Sequence, residues 1–205
     1  MSTSAVRTFT GRLVDLLDTD PADIDLLDIA HALSFSNRFN GHTSRPSNVA
    51  RHSLVVADMV ATATSDARVV AAALMHDASE AYIGDMVHPL KQVMPEFREV
   101  EARIEAVLDE LFGIGVTVAE HRLIKDADIT ARLWEQRDIT ASPDRSPGQG
   151  RFVVPLDPYP TCDSVRDRHD FLTAAYTVPG DVQGPLACAA ASALAHLRRA
   201  DTVPV

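Results

Sequence analysis

Residues 74–86, LMHDASEAYIGDM, place His76, Asp77, Glu80 and Asp85 directly after the apolar run ARVVAAA. An imidazole and three carboxylates in so apolar a setting can bind a cation, move protons or grip a hydroxyl; left buried and unpaired they would be costly. Read as one helix over residues 66–82, the stretch sets His76 on the face of Val69, Ala72 and Ala73, with Asp77 about 100° further round and Glu80 one turn beyond His76. His52 repeats the pattern upstream, sharing an apolar stripe with Val55, Val56, Met59 and Val60. Either histidine alone reads first as a hydrogen-bonded core side chain. Joined by the carboxylates, the pair suits a divalent ion such as Mn, Fe, Co, Ni or Zn, which accept imidazole nitrogen and carboxylate oxygen together.

A closed site needs a further ligand, and HRLIKDADITARLWEQRD offers Asp126 and Asp128. Each lies about 100° from the stripe centred on Ala127, so periodicity leaves the choice open.

The elements that must position these groups are helical. Of 205 residues 46% are hydrophobic but only 5% aromatic, and alanine is abundant, which favours closely packed helices over a β-sandwich or barrel. We expect an all-α fold and one domain over residues 1–205. Helices are predicted over about 24–35, 48–64, 66–82, the run EFREVEARIEAVLDELFG ending at Gly113, 118–139, 163–176 and 184–199. Residues 10–26 are ambiguous between strand and helix. Ser47, after Pro46, is the expected N-cap of the second helix. Between the fifth and sixth, residues 140–161 form a Pro-rich excursion that reads as a lid or contact arm, with a short extended piece at Phe152–Val154.

A formal net charge of −10 excludes a nucleic-acid polymer and an anionic membrane as partners, since both need a broad basic surface, but permits a small phosphorylated ligand. The N-terminal residues lack an apolar signal region and no stretch is long enough to span a membrane, so a cytoplasmic location is expected. Cys162 and Cys188 read as reduced thiols.

His52, the doublet His76–Asp77 and an aspartate in KDAD together resemble the H…HD…D signature of HD-domain metal-dependent phosphohydrolases. The block HDASEAYIGDM followed by PLK, with RF fourteen residues before His52, is similar to the 5′-deoxynucleotidase branch. DIAHALSFSNRFNGHT resembles phage and prophage relatives within that superfamily. The likeness covers about residues 24–139. It implies an HD-type helical bundle and one divalent ion held by His52, His76, Asp77 and, by motif position, Asp128; Mn, Co, Fe, Zn, Ni and Mg all stay open. It implies that Glu80 orients water or passes a proton, that Arg38 clamps phosphate, and that Phe39, where the branch has tryptophan, stacks on a base. Asp85 would accept a hydrogen bond from a sugar hydroxyl, unless it merely caps a helix, and Lys91 would touch phosphate. His31, His42 and His88 would line the entrance.

The expected function is therefore hydrolysis of a deoxynucleoside 5′-phosphate by a homodimer or larger homo-oligomer. The alternatives are a deoxynucleoside triphosphate triphosphohydrolase, a non-catalytic nucleotide-binding module, and a di-iron oxygenase; the last needs more histidines than the interval between the doublet and Asp128 supplies.

Overall fold

The computed structural model describes residues 4–141, 151–177 and 184–200. A small antiparallel hairpin, β1 (Ala5–Arg7) and β2 (Leu13–Asp15), opens the chain, pairing Val6 with Val14. It resolves the ambiguous segment, which continues through a 3-10 turn at Pro21–Asp23. Helices then dominate: α1 (Leu26–Phe35), α2 (Val49–Ala61), α3 (Ala67–Leu74), α4 (Glu80–Ile83), α5 (His88–Gln92), α6 (Pro95–Phe112), α7 (Val118–Ile139), α8 (Ser164–Thr177) and α9 (Pro185–Ala200).

Local signals explain where they start and stop. Asp66 caps α3 by accepting from Arg68 N, Thr117 and Glu120 form a reciprocal capping box on α7, and Gly113, left-handed at φ 65°, ends α6. The cap of α2 is Asn48, whose Oδ1 accepts from Arg51 N at 2.8 Å, and not Ser47. Ser47 is buried and donates its hydroxyl to Glu135 on α7 instead.

The expected helix over 66–82 is also corrected. It stops at Leu74, turns through residues 75–79 and restarts as the single turn α4. Apolar periodicity runs through that break, because Met75, Ala78 and Tyr82 are buried as a helical stripe would be. The turn is what swings His76 and Asp77 out of the helix register.

Helix α2 lies at the centre, packed against α1, α3, α7 and α8, and its buried face carries Val49, Val56, Val60 and His52. Helix α8 is locked to α2 by a buried clamp in which Asp167 accepts from Asn48 Nδ2 at 2.7 Å and from Arg51 Nε at 2.9 Å. Of the Pro-rich excursion, residues 142–150 lie outside the described residues, and 151–161 lie within them. They form no strand at Phe152–Val154, and they run along α7: Trp134 Nε1 donates to Asp157 O, Arg137 to Pro155 O, and Tyr159 N donates to Asp138. Tyr159 is 1% exposed and, with Val154, ties this portion into the core, while Val153 and Leu156 stay exposed. No helix among the described residues is long and apolar enough to cross a membrane, and neither Cys162 nor Cys188 forms a disulfide.

Candidate active site

Three segments meet behind the bend after α3. From α2, His52 is fully buried, its Nε2 3.2 Å from Asp128 Oδ1 of α7 and 3.8 Å from Asp77 Oδ2. From the turn, His76 Nε2 lies 3.1 Å from Asp77 Oδ2. His52, His76 and Asp77 each offer a ligand atom within 4.8 Å of the others. Asp128, not Asp126, reaches this group.

The tautomers follow from the hydrogen bonds. His76 Nδ1 donates to Ala73 O at 2.8 Å, so its proton sits on Nδ1 and a lone pair on Nε2 faces Asp77. His76 Nε2 is buried and makes no hydrogen bond despite its distance from Asp77. His52 is arranged alike, with Nδ1 3.3 Å from Glu135 Oε2 in a long contact outside ideal geometry. With both rings neutral, as metal ligands are, their Nε2 lone pairs would face two carboxylates, an arrangement a cation between them relieves; without one, a proton on His52 Nε2 takes that place against Asp128.

Electrostatics carry the same message. Burial and Arg38 would lower the His52 pKa, but Glu135 and Asp128 outweigh them and push it up to about 9. Burial would raise Asp77 and Asp128, yet the two imidazoles hold both carboxylates well below their usual range. The centre is thus built around positive charge, and its nitrogen and oxygen donors fit a divalent ion.

Asp77 and Asp128 border a cleft of about 720 Å³ that is also lined by Arg38, Phe39, Glu80, Asp85 and Lys91, among others. Arg38 is positioned by a loop whose ends are pinned together: Arg38 N donates to Ser47 O at 3.0 Å, Val49 N to Ser36 O at 3.2 Å, and Ser44 N to Ile139 O at 2.7 Å. Phe39 and Asn40 hold left-handed backbone, φ 54° and 50°, the sparsely populated conformation that recurs at ligand sites. Arg38 is buried, its Nε equidistant at 2.9 Å from both oxygens of Glu135 and its Nη1 3.8 Å from Asp77.

Glu80 is buried with Oε2 unpartnered; burial, then Asp77 and Asp85, raise its pKa well above the carboxylate range. Asp85 is half-buried and likewise raised, first by burial. It caps no helix, since α5 begins after Val87 without a side-chain cap. Lys91 borders the cleft but gives its ammonium to Glu101. Of the expected entrance histidines, His42 and His88 line the cleft, whereas His31 stacks on Phe9 at 3.8 Å.

Sequence reading missed three residues. Lys125 donates to Asp128 Oδ2 at 2.5 Å, and Arg132 lines the cleft one turn beyond Asp128, with no ionic partner among the described residues. Glu135, fully buried, was hidden by its charge: it lies four residues beyond Ala131 on the stripe that already held Ile124 and Ala127, and a carboxylate on a buried stripe was the available signal.

Residues 27–114 match the model of the 5′-deoxynucleotidase YfbR-like family. An uncharacterized protein of Rhodobacter capsulatus is 40% identical over 135 residues, covering 62% of this chain and 69% of that protein. The uncharacterized protein YfdR of Escherichia coli is 35% identical over 138 residues, 66% of this chain and 72% of its own length. The solved structure of the cyanophage S-2L HD phosphohydrolase DatZ, bound to dA and one catalytic Zn²⁺ ion, is 18% identical and covers 84% of this chain and 94% of its own, with a TM-score of 0.45. The chain belongs to the YfbR-like 5′-deoxynucleotidase family of HD-domain proteins and is a metal-dependent hydrolase of phosphoric esters.

Proposed function

We propose that the protein hydrolyses 2′-deoxynucleoside 5′-monophosphates to deoxynucleosides and orthophosphate. The observation that carries this reading is the cluster of His52, His76 and Asp77, with Asp128 3.2 Å from His52, whose two carboxylates border the same cleft as a buried, carboxylate-anchored Arg38. His52, His76, Asp77 and Asp128 would hold the divalent ion. When bound, such an ion lowers the pKa of water and withdraws charge from a phosphoryl oxygen.

The chain's own groups do the rest. Arg38, fixed through Nε, turns its remaining guanidinium nitrogens to the phosphate. Burial and its acidic neighbours raise the Glu80 pKa, which favours a protonated carboxyl able to supply the leaving 5′-oxygen. The water oxygen forms the new bond to phosphorus and the bond to the 5′-oxygen breaks; that oxygen departs with the Glu80 proton as the sugar hydroxyl, one proton of the water stays on the orthophosphate and the other restores Glu80. Phe39 offers a ring to the base, and Asp85 a carboxylate to the sugar.

Charge supply favours a monophosphate over a triphosphate. Lys91 and Lys125 are engaged by Glu101 and Asp128, which leaves Arg132 to answer any additional phosphate charge. Helix α8, beyond the Pro-rich excursion, packs on α1, α2 and α9 and grips Arg51 of α2; we read the whole chain as one domain.

The deciding experiment screens deoxynucleoside monophosphates, ribonucleotides and deoxynucleoside triphosphates against Mn²⁺, Co²⁺, Mg²⁺ and Zn²⁺. Orthophosphate release from the monophosphates is expected, and Glu80→Gln should reduce kcat by about 10²- to 10⁴-fold while retaining metal. Tripolyphosphate release from triphosphates, with monophosphates inert, would replace this reading.

A further inference from the structure

We propose that Glu135 is a positioning residue that aligns the metal site and the phosphate clamp together through a single buried carboxylate. Its Oε1 accepts from Arg38 Nε at 2.9 Å and from Ser47 Oγ at 3.2 Å; its Oε2 accepts from Arg38 Nε at 2.9 Å and faces His52 Nδ1 at 3.3 Å. Arg38 and His52 come from different segments, the 36–48 loop and α2, so their mutual placement depends on what lies between them.

The helix that supplies Glu135 also supplies Asp128, seven residues earlier and therefore on nearly the same face. The His52 ring is thereby held from both sides by α7: Asp128 at Nε2 and Glu135 at Nδ1. A carboxylate on the far nitrogen of a ligating histidine fixes the ring's tautomer and rotation. The same carboxylate occupies Arg38 Nε, so the terminal nitrogens, one of them 3.8 Å from Asp77, are the ones left to meet a phosphate.

Stability alone is a poor account of this arrangement. A buried ion pair is often no more stabilising than an apolar pair of similar volume, so its placement between a metal ligand and an anion clamp calls for a functional reason. The inference rests on the reading that a cation and a phosphate bind here, but it is independent of which ester is cleaved.

Glu135→Gln tests it, because the amide keeps the volume yet replaces one acceptor by a donor and can serve Arg38 or His52, not both. Two constants are measured: Mn²⁺, Co²⁺ and Zn²⁺ affinity by chelator competition, and inhibition by inorganic phosphate at saturating metal. Metal affinity should fall about 10- to 100-fold, and phosphate inhibition should weaken roughly tenfold or more. Asp167→Asn, which alters an equally buried carboxylate on the α8 side of α2, should lower thermal stability and leave both constants as in the wild type. Glu135→Asp keeps the charge for Arg38 and is read by the same two constants if the glutamine variant does not fold. A Glu135 variant that loses only stability, or that shifts one constant without the other, overturns the proposal. Wild-type protein that binds none of the three ions would overturn the functional reading instead.

Discussion

At the scale of the residue, chemistry here is decided by what stands beside each ionisable group. Glu80 and Asp85 have raised pKa values because they are buried among further carboxylates, whereas Asp77 and Asp128 are lowered because two imidazoles face them. Asp85 belongs to the cleft and caps nothing, which sharpens a prediction. Gly84, at φ 80°, lets the chain turn directly after α4 so that Asp85 lines the space beside the metal ligands. A carboxylate there accepts from a 3′-hydroxyl and crowds a 2′-hydroxyl. Asp85→Ala should therefore weaken deoxynucleotide hydrolysis and narrow the ratio of deoxy to ribo kcat/KM, with metal content unchanged by elemental analysis. An unchanged ratio would remove Asp85 from sugar selection.

At the scale of the element, α7 is the spine of the site. Its N-terminal half contributes Lys125 and Asp128, its middle Arg132 and Glu135, and its last turn anchors residues 155–159 through Arg137 and Asp138. Asp138 is held below its usual range chiefly by Arg137. A carboxyl whose folded pKa is depressed contributes stability that is complete above the unfolded value, 3.8 in this case, and is lost as pH falls through the lower folded value. At neutral pH the anchor is therefore fully formed. Asp138→Asn removes it at every pH. Because Trp134, the chain's single tryptophan, packs edge-on against Tyr159 at 5.3 Å, its emission should shift red in the variant at neutral pH. In the wild type the same shift should arise only in acid. Identical emission in the two proteins at neutral pH would show that Asp138 does not hold this segment.

At the scale of the whole molecule, a metal held as proposed would tie together segments that lie far apart in the chain: His52 and Asp128 are 76 residues distant in sequence. An ion that binds the native fold alone stabilises it by mass action, by about 2.7 kcal/mol at a hundredfold excess over Kd. For a chain of this size each kcal/mol is worth roughly 2–4 °C, so Mn²⁺ or Co²⁺ should raise Tm by about 5–10 °C and a chelator should reverse the gain. His52→Ala should abolish the metal-induced increment, measured by differential scanning calorimetry. An increment that survives in that variant would place the ion elsewhere.

The sequence by itself determined the helical class, most helix bounds and the polar groups of the site, because these depend on composition, period and motif spacing. Helix α7 was legible to the residue at both ends since its capping box and apolar stripe are local signals. Local signals did not show the break after Leu74, where buried Met75, Ala78 and Tyr82 keep a helical rhythm through a turn. Nor did they choose Asp128 over Asp126, which lie equally far from the stripe; that choice belongs to the packing of α7 on α2, which brings Asp128 to His52. Glu135 was the largest loss. Its partners Arg38 and His52 are 97 and 83 residues earlier in the chain, and a buried charge makes sense only beside the groups that neutralise it, so its meaning existed nowhere but in the tertiary structure.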